Sequence, residues 1–322
     1  MRSLVTGGTG FVGANLVRRL VADGHDVHLL LRRAYRAWRI AGIEGMVHLH
    51  VVDMSQRGEV ARLVETVRPE WVFSLAAHGA YSYQTDLQEM MATNFVGALN
   101  LVEVALGAGA EAVVQAGSSS EYGFKDHAPS EDEAISPNSE YAVTKAAATL
   151  YFQFLAEHRS APVTVLRLYS VYGPWEEPTR LLPTLVVRAL DGRLPPLVAP
   201  GTARDYVYVD DAVEAFLAAA RSGRSRQAVY NIGTGTQVSL REVVDVVCQQ
   251  LAVKEVPNWG AMAGRSWDTD RWVANPSSAR ADLGWLPKVS LDAGVKRLVE
   301  WLRGDKDLLA WYRATIGESS HP

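Results

Sequence analysis

Short β-branched, apolar runs alternate with longer amphipathic ones through the first half of the chain. SLVTG leads into FVGANLVRRLVADG, and DVHLLL, HLHVVD, WVFSLAA and AVVQAGSSS follow with helical spacing between them. Runs apolar at nearly every position predict strands buried on both faces, and the intervening 3.6-residue periodicity predicts helices. Parallel strands need crossover connections, so the alternation predicts an α/β fold built on a doubly wound parallel sheet. From about Tyr169 the pattern changes. YGPWEEPTRLLP and GRLPPLVAPG punctuate the chain with proline, DYVYV returns to strand, and helical runs follow near 210–221, 239–251 and 290–303. No fixed repeat or low-complexity linker marks two independent domains. The expected organisation is interleaved: 1–168 plus about 205–230 in one domain, and about 169–204 plus 231–322 in a smaller C-terminal one.

Composition narrows the classes. With 322 residues, 48% hydrophobic and 21% charged, the chain can bury a large core, which excludes a disordered tail or a small stapled module. A formal net charge of −4 gives no global attraction to nucleic acid or anionic membrane, so neither partner is expected. Cys248 is the only cysteine, which excludes an intramolecular disulfide and suits a thiol-keeping compartment. It lies in REVVDVVCQQL and reads as packing, since no histidine or acid adjoins it. MRSLVTGG starts a strand at once, leaving no room for a signal peptide, and no apolar run is read as reaching the ~18 residues of a membrane span. A cytoplasmic protein is the expectation.

Gly7, Gly10 and Gly13 in TGGTGFVG lie between a first strand and a first helix. A dinucleotide pyrophosphate meets backbone N–H groups in that context, and a bulky side chain at these turns would obstruct it. Phe11 and Val12 belong to the same turn; a purely structural glycine turn is the competing reading. The second strand, DVHLLL, ends at Leu31, followed by Arg32 and Arg33 rather than by the acid that accepts from an adenosine ribose 2′-hydroxyl. Guanidinium groups suit a 2′-phosphate, so NADP(H) is preferred and NAD(H) allowed, against the alternative that both arginines are merely solvated. Asp53 and Met54 end the third strand, where Asp53 is a candidate adenine contact or a simple strand-ending aspartate.

Tyr141 and Lys145 in EYAVTK are four residues apart and share a helical face. A lysine ammonium near an oxidised nicotinamide is expected to lower the phenol pKa from about 10 toward neutrality, making an acid–base pair. Such a spacing also arises by chance on solvent-facing helices. The strand AVVQAG and its GSSSEYG end strengthen the case, because a hydroxyl there can bond the substrate oxygen whose proton the tyrosine exchanges.

Taken together these motifs resemble the extended short-chain dehydrogenase/reductases of the nucleotide-sugar epimerase, dehydratase and reductase superfamily. The resemblance covers nearly the whole chain: TGGTGFVG, LAAHGA, Asn94 in ATNFVGALN, GSSSEYG, YAVTK, LRLYSVYGP, RDYVYVDD, NIGTG and LGWLPKVSLDAGVKRLVEWL. It implies a Rossmann-type sheet with a C-terminal substrate region, a homodimer, and catalysis by Ser118, Tyr141 and Lys145. Leu75, Ala76, Ala77 and Asn94 are implied cofactor neighbours, together with Tyr141 and Lys145. No metal is implied. Dehydratases of the superfamily carry an acidic pair after the catalytic hydroxyl residue, or a glutamate two positions on. Here those positions are Ser119 and Ser120, with the glutamate displaced to Glu121. Arg204 matches an arginine that contacts the substrate diphosphate, and an arginine fork suits that group. Arg265 and Asp268 match phosphate and ribose or sugar contacts more loosely. Ser170 replaces a usual asparagine. His78, Tyr81 and Tyr83 follow a strand ending near the nicotinamide. Arg180, Glu176 and Glu177 lie in WEEPTR, which reads as a solvated loop able to reach substrate; RSGRSR at 221–226 reads as a solvated loop.

The expected substrate partner is a nucleotide-diphosphate sugar. The leading expectation is NADPH-dependent reduction of a 4-keto-6-deoxysugar, in which Tyr141 supplies the proton, Ser118 steadies the alkoxide and Lys145 holds the nicotinamide ribose. A 4-epimerase with tightly held NAD is the alternative. A 4,6-dehydratase recruiting Glu121 and a non-catalytic NADP(H) sensor are weaker ones.

Overall fold

A computed structural model describes residues 1–223, 227–264 and 269–318. The strands are β1 (Arg2–Thr6), β2 (Asp26–Leu31), β3 (His48–Val51), β4 (Trp71–Ser74), β5 (Ala112–Ser118), β6 (Val163–Leu168), β7 (Ser170–Tyr172), β8 (Ala203–Arg204), β9 (Tyr206–Tyr208), β10 (Val229–Ile232) and β11 (Val238–Ser239). Seven of them form one parallel sheet in the order β10-β6-β5-β4-β1-β2-β3. The expected α/β doubly wound architecture is thus present. All four residues of β4 and of β10 are buried, as expected for strands covered on both faces.

The helices are α1 (Phe11–Ala22), α2 (Arg57–Val67), α3 (Leu87–Met90), α4 (Ala98–Gly107), α5 (Glu140–Arg159), α6 (Leu181–Leu190), α7 (Val209–Ser222), α8 (Leu240–Leu251), α9 (Ser277–Leu283), α10 (Leu291–Gly304) and α11 (Lys306–Glu318). A π-helical turn, Met91–Gly97, joins α3 to α4. The resulting helix, Leu87–Gly107, has 21 residues and is long and apolar enough by length and composition to cross a membrane. This differs from the sequence expectation that no run reaches span length. Its apolarity has a local cause: Ala98, Leu101, Val102 and Ala105 pack into the cluster that also holds Val60 and Val64 of α2 and Val72 and Val113 of the sheet.

Chain order reverses between β1 and β4, and such a switch point opens a crevice at the carboxyl ends of the strands. β10 returns to the large sheet beside β6, while β7 pairs with β9 and β8 with β11 in two small sheets. One apolar cluster runs from Val5 in β1 to Ile316 in α11, so the C-terminal elements share a core with the sheet. Partly buried Cys248 packs against that cluster.

Candidate active site

β1 and α1 approach closely at the switch point, and glycine permits it. Gly7 has φ +69°, and a Cβ there would lie 2.6 Å from the backbone of Leu75 and Ala76 as it leaves β4. A Cβ on Gly13 would lie 2.1 Å from the Gly7 carbonyl oxygen. That oxygen accepts from the Gly10 amide at 2.8 Å, and Gly10 caps α1 in an extended conformation. The side chains of Phe11 and Val12 pack on the core. The N–H groups of the first turn of α1 have no helical partner, so backbone donors and the positive end of the dipole face the crevice. Glycine at these positions lets backbone lie against backbone where a Cβ would collide, and the turn so formed, with the free amides opening α1, fits a dinucleotide pyrophosphate.

The other expected cofactor residues divide. Arg32 and Arg33 are exposed just beyond β2. Asp53 lies past the end of β3, and its Oδ1 accepts from Ser55 N at 2.9 Å and Ser55 Oγ at 2.8 Å, closing a local turn. The carbonyl of Met54 accepts from Asn100 Nδ2 at 3.0 Å, which fixes that turn to α4. Asn94 is buried in the π turn. Its Nδ2 donates to His78 O at 2.8 Å and Thr144 Oγ1 at 2.9 Å, and its Oδ1 accepts from His78 N at 2.8 Å. Both of its donors are taken by protein, so Asn94 positions the Leu75–His78 loop against α5.

Ser118 ends β5 and caps the following 3₁₀ turn, Ser119–Tyr122. Tyr141 and Lys145 sit one turn apart on α5, whose start is capped by Ser139 Oγ accepting from Ala142 N at 3.2 Å. The Tyr141 phenol lies close enough to the Ser118 hydroxyl for Ser118 to bear on its pKa. Ser118 Oγ lies 2.7 Å from Ser120 Oγ, so two hydroxyls adjoin at the end of β5. Burial pushes the Tyr141 phenol up to about 12, opposed by the Ser118 hydroxyl. Lys145 is buried, donates to Ala116 O at 2.5 Å, and is pushed down to about 8 by burial. The expected lowering of the phenol by the ammonium is therefore not what these groups do by themselves. Desolvation dominates both, and Lys145 is turned toward strand backbone.

Glu121 is fully buried. Its Oε1 accepts from Ser118 N at 2.8 Å, and its Oε2 is paired with Arg167 Nε at 2.8 Å, with both side chains buried. The Arg167 guanidinium also donates to Tyr122 Oη at 2.8 Å. The expectation of Glu121 as a substrate contact is corrected: its carboxylate is committed to the ion pair that holds the Ser118 turn. Ser119 is buried and accepts from Trp272 Nε1 at 3.1 Å. Trp272 also lies under Arg204, whose guanidinium carbon is 5.4 Å from its ring. Sequence reasoning missed this tryptophan because 153 residues separate it from Ser119.

Arg180 caps α6, with its guanidinium carbon 6.0 Å from the Tyr81 ring and close enough to Tyr141 to oppose the rise of its phenol pKa. Tyr81 and Tyr83 stack at 5.5 Å. Ser170 begins β7 and donates its N–H to Asp205 O at 3.0 Å. Arg265, Asp268 and residues 224–226 lie outside the described residues; Arg221 pairs with Glu214. WEEPTR is not the solvated loop expected. Glu177 pairs with the buried Arg39 at 2.7 Å, and Arg39 Nε donates to Trp175 O at 2.7 Å. Glu176 is buried, and burial pushes its carboxyl up to about 8.

Residues 3–233 match the family described as the NAD dependent epimerase/dehydratase family. The chain belongs to that family. The UDP-glucose 4-epimerase of Mycolicibacterium smegmatis is 33% identical to this family member over 316 residues, covering 94% of this chain and 99% of that protein. The dTDP-glucose 4,6-dehydratase of Neisseria meningitidis is 26% identical over 350 residues, covering 98% and 96% respectively. The solved structure of the Thermus thermophilus UDP-glucose 4-epimerase in complex with NAD superimposes with a TM-score of 0.82. It has 31% identity and covers 94% of this chain and 99% of that one.

In this epimerase/dehydratase family member the RDY and NIGTG motifs meet at one buried carboxylate. Asp205 accepts from Thr234 N and Thr234 Oγ1 at 2.7 Å, Gly235 N at 2.9 Å and Ala274 N at 3.0 Å. It ties the turn after β10 to the segment carrying Trp272, and so sets the floor on which Arg204 lies.

Proposed function

We propose that this chain is a nucleotide-sugar 4-epimerase that retains NAD. The observation that carries the proposal is the burial of Glu121 against Arg167, which leaves Tyr141 and Ser118 as the proton-handling groups at the reactive centre. Elimination of water needs a further acid beside the substrate, and Ser119 and Ser120 supply none. The 4-epimerase relative, similar over nearly its full length, supports epimerisation over the 4-keto reduction expected at first. The NAD in the Thermus thermophilus complex supports NAD over NADP. Arg32 and Arg33 are the argument for NADP, and released cofactor decides between the two.

Gly7, Gly10, Gly13 and the amides opening α1 would hold the pyrophosphate, and Lys145 would hold the nicotinamide ribose. When bound, a nicotinamide dinucleotide supplies the reversible two-electron exchange with the sugar carbon. Tyr141 takes the proton of the C4 hydroxyl and returns it to the same oxygen after the sugar has turned over. Ser118 donates a hydrogen bond to that oxygen where charge develops. Arg204 and the surface of 169–204 and 231–322 are proposed to carry the nucleoside diphosphate. The exposed apolar residues Val143, Leu150 and Phe154 on α5 are proposed to meet a second copy in a homodimer.

The test is incubation of purified protein with UDP-glucose or UDP-glucuronate and no added cofactor, with product read by NMR and released dinucleotide read by mass spectrometry. The 4-epimer and stoichiometric NAD are expected, and epimerisation should vanish in Tyr141→Phe. NADPH consumption with a 4-keto sugar and no epimer would establish the reductase instead.

A further inference from the structure

The two outermost strands of the large sheet place a cluster of metal-ligand side chains on one face. In β2, Asp26 and His28 are two residues apart; in β3, His48 and His50 are two residues apart. The strand period of two puts each pair on one face, and the register aligns His28 with His48 and Leu30 with His50. The four side chains converge. Asp26 Oδ1 lies 3.4 Å from His28 Nε2 and 3.3 Å from His48 Nε2, and the three ligand atoms all lie within 4.8 Å of one another. The other nitrogen of His28, Nδ1, lies 2.9 Å from His50 Nε2.

These separations match a coordination polyhedron. Ligand bonds of about 2.0–2.1 Å in tetrahedral geometry put neighbouring donors about 3.3–3.4 Å apart. Two of the three edges already have that length. With His28 Nε2 on a metal, its Nδ1–H would donate to His50 Nε2 at 2.9 Å, the kind of hydrogen bond that fixes tautomer and ring orientation in a ligating imidazole. Arg2 Nε lies 3.3 Å from the other carboxylate oxygen of Asp26 and orients Oδ1 toward the imidazoles. No thiolate takes part, so the donor set is imidazole and carboxylate, which suits zinc and its borderline neighbours.

We propose that Asp26, His28 and His48 bind one zinc ion, supported by His50, with a fourth position open to water. The ion ties β3, which has a single neighbour in the sheet, to β2. The ligands begin in the amino-terminal halves of these strands, away from the Gly7–Gly13 turn at the carboxyl end, so the ion is a clip on the fold rather than part of the reaction.

The test uses the full chain, tag-free and stripped with chelator, titrated with Zn²⁺ against a competing chromophoric chelator and with Co²⁺ by visible absorption. One equivalent is expected to bind with a Kd of about 1 μM or tighter, Co²⁺ giving the intense bands of four-coordination. His48→Ala, at an exposed position, is expected to weaken binding at least tenfold. His127→Ala, which removes the other histidine placed between carboxylates, is expected to change nothing. At about 100 μM Zn²⁺ the parent melting temperature should rise by a few degrees and that of His48→Ala should not. Binding weaker than about 100 μM, or equal binding by parent and His48→Ala, would overturn the assignment and leave an ordinary hydrogen-bonded histidine cluster.

Discussion

Replacing Arg167 by methionine removes the guanidinium from a pair in which neither partner meets solvent. Glu121 Oε2 then loses its cation at 2.8 Å, and Tyr122 Oη loses a donor at 2.8 Å. Breaking a buried pair from one side costs about 3–5 kcal/mol, because the remaining charge is left uncompensated. An unfolding entropy of about 2.1 cal/mol/K per residue gives about 0.7 kcal/mol/K for this chain, so the expected fall in Tm is roughly 4–7 °C. Calorimetry of parent, Arg167→Met and Arg167→Met/Glu121→Gln measures it. The double variant keeps an acceptor for Ser118 N–H while removing the stranded charge, and should regain at least half the loss. Because Glu121 also holds the Ser118 turn, kcat should fall in the single variant with little change in KM. A Tm within about 1 °C of the parent, or a double variant no better than the single one, would refute the reading of Glu121 as an anchor.

Gly13→Ala places a methyl 2.1 Å from the Gly7 carbonyl and should cut dinucleotide affinity by at least about 100-fold, read by calorimetric titration, with the global fold retained by circular dichroism. Lys145 sits at about 8 instead of its usual 10.5, so between those values the unfolded chain binds more protons and stability rises with pH; below about pH 8 the loss is complete. Lys145→Met should therefore gain up to about 3 kcal/mol at pH 7 in cofactor-free protein while abolishing activity, the gain shrinking toward pH 10.5. Melts at both pH values test it, and a loss at pH 7 would show that the Ala116 hydrogen bond outweighs desolvation. Phe154→Asp should convert a homodimer to monomer in sedimentation velocity.

The sheet was legible because its central strands are apolar at most positions, as in WVFS and AVVQAG, and the turn because three glycines stand where backbone meets backbone. Ser118, Tyr141 and Lys145 were legible as a local spacing plus a strand end. What escaped was pairing at a distance. Glu121 and Arg167 are 46 residues apart, and only the β5–β6 register makes them neighbours. Trp272 reaches Ser119 through a segment with no periodic signature, and Asp205 gathers its four donors from two loops. The histidines of DVHLLL and HLHVV alternate visibly, yet their meeting depends on which strand lies beside which. The solvated reading of WEEPTR failed because charge in a sequence does not reveal the buried arginine waiting at Arg39.

The widened turn at Met91–Gly97 also constrains how this chain can change. A π turn carries about one residue more than an α-helix over the same rotation, so deleting one residue there lets the segment revert to α geometry, turning residues inside it by up to about 100° against flanks that stay in phase. The amide of Asn94 would swing out of its slot and leave the loop after β4 untethered, while Ala98 and Leu101 stayed seated on the sheet. Single-residue deletions, often harmless at the end of a helix, should therefore be tolerated at Gly107 and rejected within Met91–Gly97.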